Sequence, residues 1–129
     1  MKLLLSFIFL ATMAFTEKGC KNKKNQDKNC YKGRLEIKAN CMNYTISVLE
    51  GNIDSGLVEK SWTDENTGKT YNNAFALASK CSFPDSIQQG DEFYFVIDTT
   101  TKQDCAVCLM YYPVPQKKLP IKILKDPCP

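Results

Sequence analysis

Apolar and polar positions divide the chain into three parts. Leu3 to Phe15 is an almost unbroken apolar run, and Lys21 to Asn29 contains no apolar residue. From Cys30 onward apolar and polar positions alternate with the period of two that marks a half-buried strand. Arg34-Leu-Glu-Ile-Lys-Ala-Asn-Cys41 puts Leu35, Ile37, Ala39 and Cys41 inward and its charges outward. Tyr44-Thr-Ile-Ser-Val48 puts Tyr44, Ile46 and Val48 on one face. Leu57 to Thr63 carries Trp62. Lys69 to Ser79 turns Phe75 and Leu77 inward. Phe93 to Asp98 is apolar on both faces, which predicts a mid-sheet strand with cover on each side. Cys105 to Tyr112 reads as a further strand. Lys118 to Ile123 reads as the last, with Leu119, Ile121 and Ile123 inward; Pro120, which has no N–H, places it at an edge. Turn signals separate these segments: Glu50 to Gly56, Asp64 to Gly68, Pro84, Gly90-Asp91 and Pro113-Val-Pro115. Asp85 offers a cap for a short helix over 85–89. Seven short strands without a helical period predict an all-β domain. The expected form is a small antiparallel β-sandwich or a Greek-key (OB-like) barrel.

The leader changes the picture. Met1-Lys2 ahead of a short apolar run has the layout of a secretory signal, and the run is too short to span a bilayer as a helix. Thr12-Met13-Ala14 offers cleavage after Ala14, and Ala14-Phe15-Thr16 a poorer site. Gly19-Cys20 offers a third, in which Cys20 receives a lipid. The expected organisation is a signal over residues 1–19, a basic disordered tether over 20–29 and a single β domain over 30–129.

Seven cysteines in 129 residues point to an oxidising compartment. Seven is odd. If Cys20 is lipidated, Cys30, Cys41, Cys81, Cys105, Cys108 and Cys128 remain for three bridges; otherwise one thiol is free or pairs with another chain. Several pairings are open among the six. Cys30 and Cys128 bracket the domain, so a bridge between them would tie down both ends.

Charge is uneven. Lys18 to Arg34 holds seven basic residues and one acid, whereas Leu35 to Pro129 holds nine lysines and twelve carboxylates. A mildly acidic domain behind a basic leader is the reverse of a nucleic-acid-binding pattern, so no nucleic-acid partner is expected. The tether lysines read as a solvated spacer, with attraction to anionic head groups as the alternative. The chain has no histidine, which removes the commonest general base and the commonest metal ligand. No catalytic residue, cofactor or metal is expected.

Cys105-Ala-Val-Cys108 has the spacing of a redox dithiol, but its strand-like setting favours two structural half-cystines. Asp64-x-Asn66-x-Gly68 echoes a calcium loop without the later acidic ligand, and reads better as a hairpin turn. Asp91 and Glu92 are neighbours and face apart. Asn43-Tyr-Thr45 is a glycosylation acceptor in a eukaryotic secretory host. The aromatics Tyr44, Trp62, Tyr71, Tyr94, Tyr111 and Tyr112 are candidates for a stacking face. Trp62, Tyr71 and Tyr94 are the ones singled out for a glycan or peptide.

The Gly90-Asp91 turn before an aromatic strand resembles small Greek-key barrels of the OB type, over about a third of the chain. The whole outline of short leader, Cys20, polar tether and one β domain resembles short bacterial cell-envelope lipoproteins, with Glu17 and Lys18 departing from that family's apolar and small residues. The resemblance implies location: exported, in the envelope or extracellular, and held to the membrane through a lipid on Cys20. The expected function is non-catalytic binding or scaffolding of a protein or glycan outside the cytoplasm. The alternatives are a soluble secreted disulfide-rich binding protein and a thiol-disulfide enzyme using Cys105 and Cys108.

Overall fold

The computed structural model describes residues 29–129. The expected signal, the candidate lipidation site Cys20 and the tether up to Lys28 lie outside the described residues. The rest is all-β, with strands β1 (Cys30–Lys38), β2 (Tyr44–Glu50), β3 (Glu59–Thr63), β4 (Thr70–Leu77), β5 (Glu92–Ile97), β6 (Lys118–Leu119) and β7 (Ile121–Leu124). Two 3-10 turns, Asn40–Met42 and Lys80–Ser82, are the only helical pieces among the described residues.

The strands form one sheet in the order β3-β4-β2-β1-β5-β7, and β6 pairs separately with β4. Every pairing is antiparallel except β4 with β6. Alternation explains the core: Leu35, Ile46, Phe75, Leu77 and Phe95 are fully or almost fully buried, one or two from each of four strands. Gly33 lets β1 and β5 close over this core. A Cβ there would lie 2.9 Å from Phe95 Cε1 and 3.2 Å from Ile46 Cγ2.

The last segment bridges the sheet. β6 lies against β4 while β7 lies against β5, and Pro120 separates the two. A segment that touches both β4 and β5 requires the sheet between them to curl. The curled sheet is not closed into a barrel, because the ladder breaks at Pro120. Local bonds span the break. Ala78 N–H donates to Leu119 O at 2.9 Å, and Asp98 N–H donates to Pro120 O at 3.0 Å. The buried Ser79 hydroxyl donates to Ile121 O at 2.9 Å and accepts from Ile121 N–H at 2.8 Å. The all-β, antiparallel, disulfide-stapled domain expected from sequence is what the chain forms, as one curled sheet that is not closed into a barrel.

Several local expectations are corrected. The first strand stops at Lys38, and the chain turns away from it at Cys41 and Met42, whose φ values of 58° and 55° are left-handed. The 85–89 segment forms turns, not a helix. Asp85 does not cap it; its carbonyl accepts from Lys38 Nζ at 3.0 Å. Residues 105–112 are irregular, since two disulfides pull their backbone away from any neighbouring strand. β5 has cover on one face only: Phe93 and Phe95 are buried, while Tyr94 and Val96 are half-exposed.

Three disulfides staple the domain: Cys30–Cys128, Cys41–Cys108 and Cys81–Cys105. The first joins the start of β1 to the C-terminal end, the pairing that position along the chain suggests. A stapled set of this kind belongs to proteins of oxidising, non-cytoplasmic compartments. No helix among the described residues is long and apolar enough to cross a membrane.

Candidate ligand-binding cleft

The β3–β4 hairpin builds the site. Its turn is an Asx turn: Asp64 Oδ1 accepts from Asn66 N–H at 3.0 Å, and Oδ2 accepts from the Thr67 hydroxyl at 3.0 Å. Gly68 completes it with φ of 72°. The residues of the calcium-like echo therefore form the turn itself, and the Asp64 carboxylate is engaged within it. Among the described residues no group of three or more His, Cys, Asp or Glu is placed to hold a metal ion.

Past the turn, Trp62 on β3 stands opposite Tyr71 on β4, and their rings stack with centroids 6.1 Å apart. Lys69 Nζ sits 5.1 Å from the centre of the Tyr71 ring. β4 then gains a second partner at Ala74, which pairs with both β3 and β2. Residues 74–76 pair with β2, whereas residues 70–72 pair with β3 alone. At the junction Asn73 has φ of 49°, a left-handed conformation that asparagine tolerates better than most side chains.

The separation of hairpin and sheet opens a cleft of about 360 Å³. Arg34 and Glu36 of β1, Ser47 and Leu49 of β2, Lys69 just before β4 and Tyr71 within it line the cleft. Of its two cations, Arg34 is paired with carboxylates and Lys69 lies over the Tyr71 ring. Arg34 lies 3.7 Å from Glu36 and 3.5 Å from Glu92. Burial, then the carboxylates of Glu36 and Asp64 and the neighbouring Tyr112, push the Tyr71 phenol above its ordinary value. Tyr71 thus keeps its proton at neutral pH and can both donate and accept. Ser47 is buried, and its hydroxyl has no hydrogen-bond partner among the described residues. Thr45 Oγ1 and Glu59 Oε2 share that condition. An unpaired buried hydroxyl costs about 1–3 kcal/mol, so this part of the sheet holds bonding capacity that the fold leaves unused.

Of the three aromatics singled out from sequence, the structure brings together Trp62 and Tyr71. Tyr94 lies apart on β5, opposite Lys32, whose Nζ is 5.8 Å from the ring centre. Tyr44 is buried, edge-on to Phe83 at 5.6 Å, and offers no face to a ligand. Asn43 is no free glycan acceptor: its amide donates to Asn40 O at 2.9 Å and to Met110 O at 2.7 Å. Cys105 and Cys108 are bridged to different partners, Cys81 and Cys41, so they do not form a dithiol pair. Arg34, Glu36, Ser47 and Lys69 are functional candidates that the sequence pattern hides, because each reads as an ordinary outward strand position. Asn72-Asn73 in the middle of a strand is the one signal of a bend there.

The arrangement defines a class: a disulfide-stapled all-β domain with a polar, aromatic-flanked surface cleft. No protein-family model, no curated protein and no solved structure matches the chain.

Proposed function

We propose that this chain is a non-catalytic exported cell-envelope protein, lipid-anchored through Cys20, that binds a glycan in the cleft beside Tyr71. The observation that carries the binding reading is the stacked Trp62–Tyr71 pair at the edge of a polar cleft. Sugars offer apolar C–H faces that stack on aromatic rings and hydroxyls that suit mixed donors and acceptors. The cleft supplies both kinds, with Arg34 and Lys69 as donors, Glu36 as acceptor, and the Tyr71 hydroxyl as either. A polar ligand rich in hydroxyls suits a site where Arg34 faces carboxylates and Lys69 lies over the Tyr71 ring.

Anchoring is supported by cysteine use. The six cysteines from Cys30 onward pair among themselves, which leaves Cys20 as the odd one. A lipid anchor holds by burying acyl CH₂ groups at about 0.8 kcal/mol each. The non-catalytic reading is supported by the lack of histidine and by the separate bridging of Cys105 and Cys108.

Trp62 is the only tryptophan and stacks on Tyr71, which lines the cleft, so its fluorescence reports on the cleft through that ring. Titration with a panel of envelope and capsular oligosaccharides is expected to give a saturable change that Tyr71→Ala abolishes. Silence across the panel would overturn the glycan reading. The intact mass of the mature protein tests the anchor: a chain beginning at Cys20 with added acyl mass is expected, gaining six hydrogens on reduction of its three bridges. A chain beginning at Phe15 or Glu17 without acyl mass would make it a soluble secreted protein.

A further inference from the structure

A second surface lies away from the cleft. Leu109 is fully exposed, Tyr111 is 83 % exposed and Met110 57 %. Three consecutive large apolar residues in solvent are unusual for an exported domain, and such patches mark interaction sites more often than chance. This one is also held still. Cys105 is bridged to Cys81 and Cys108 to Cys41, immediately before the tripeptide. Asn43 Nδ2 donates to Met110 O at 2.7 Å, so the backbone in the middle of the tripeptide is tied to the start of β2. The fold ties down the backbone of the tip without covering its side chains. A segment already ordered loses little entropy when it docks.

Beside the tip lies a hollow of about 360 Å³, lined by Asn43, Lys80, Leu109, Tyr111, Val114 and Lys118 among others. Its only charged lining residues are the two lysines, and neither is ion-paired among the described residues. In the cleft, by contrast, Arg34 faces Glu36 and Glu92. The tip therefore presents apolar side chains next to uncompensated positive charge.

Its position narrows the occupant. Residues before Asn29 join the domain at the start of β1, and the Cys30–Cys128 bridge brings the C-terminal end there too. The tip is tied to Cys41 and Asn43, beyond the far end of β1. Eight residue steps of strand separate those ends, roughly 26 Å. An anchor preceding residue 29 thus attaches at the end of β1 opposite the tip, which leaves the tip clear of the attachment point.

We propose that Leu109, Met110 and Tyr111 form a docking tip for a partner protein that offers an apolar pocket rimmed by Asp or Glu. Lys80 and Lys118 meet the carboxylates, and the tripeptide fills the pocket. The tip does not depend on the glycan reading of the cleft; only its place clear of a membrane attachment point rests on anchoring at Cys20.

The test uses the mature, disulfide-bonded protein and a phage-displayed library of random peptides. Retained peptides are expected to combine an aliphatic or aromatic residue with neighbouring Asp or Glu. Their affinity should fall at least about tenfold for Leu109→Ser/Tyr111→Ser. It should fall less, with a weaker salt dependence, for Lys80→Gln/Lys118→Gln. Leu109 and Tyr111 are exposed, so the first variant should retain the wild-type thermal midpoint, and Tyr71→Ala should bind the peptides as wild type does. Peptides without that pattern, equal binding by the tip variant, or no retained peptide would overturn the proposal. So would tip-dependent binding to phosphatidylglycerol vesicles, which would assign the tip to a membrane. A concentration-dependent dimer lost in the tip variant would also overturn it, by assigning the tip to a second copy of the chain.

Discussion

Ser79 does the most for the fold with the fewest atoms. One buried hydroxyl gives and receives a bond with Ile121, and so spans the break that Pro120 leaves in the sheet. Ser79→Ala would orphan both the N–H and the C=O of Ile121, at a cost of about 1–3 kcal/mol each. The expected outcome is a loss of about 2–4 kcal/mol, read as a lowered urea midpoint with unchanged slope. Nothing in Ala-Ser-Lys-Cys advertises this role, because the bond joins residues 42 positions apart. Asp98 is a second local device. The Thr100 hydroxyl and N–H, at 2.6 and 2.9 Å, hold its carboxyl below the usual carboxylate value. A carboxyl lowered by folding stabilises above its unfolded pKa, about 3.9, and that contribution is lost as pH falls through the folded value. Thermal midpoints are expected to drop below about pH 4, and the drop should be shallower in Asp98→Asn. Tyr31, Tyr44 and Tyr71 act at the other end. Burial raises each above the free tyrosine value. Their contribution is intact below pH about 10 and is lost as pH rises through the raised values.

Among the elements, alternation alone reveals β2 and β4, because each puts large apolar residues at every second position towards one core; β5 is visible as a strand, but its apolar second face misleads about its cover. Two elements are misread for different physical reasons. Residues 105–112 carry strand-forming side chains, but Cys105 and Cys108 bind them to two separate places, and covalent geometry overrides propensity. The β3–β4 hairpin is visible, yet its departure from β2 is not, since that depends on one left-handed residue. Asn73→Val is therefore expected to destabilise by about 1–2 kcal/mol and to press the hairpin onto β2. Asn73→Gly should be nearly neutral. Thermal denaturation, followed by Trp62 emission, separates the two. If both variants behave alike, the bend is not held by residue 73. The cleft was half legible: Trp62 and Tyr71 follow from aromatic content, while its polar wall requires knowing which strands are neighbours.

For the molecule as a whole, covalent ties carry much of the stability. The Cys30–Cys128 bridge closes a loop with a sequence separation of 98. In the chain-entropy model a loop of that length is worth about 4–5 kcal/mol. Cys30→Ser/Cys128→Ser is expected to lose about that much in guanidinium unfolding while keeping the far-UV spectrum of a β protein. A loss of less than about 1 kcal/mol would show that the ends are held by the sheet alone. Cysteine count and spacing made the compartment and this outermost pairing legible. The inner two pairings were not, since they depend on the path of an irregular segment.

The three bridges are nested, with Cys81–Cys105 inside Cys41–Cys108 inside Cys30–Cys128. A chain threaded across a membrane from its N-terminus delivers Cys30, Cys41 and Cys81 before any native partner has emerged. An oxidant acting during transit would join those early thiols to each other, and each such bond would have to be undone by thiol exchange. Maturation of this domain is thus expected to lean on a disulfide isomerase more than on the oxidant itself.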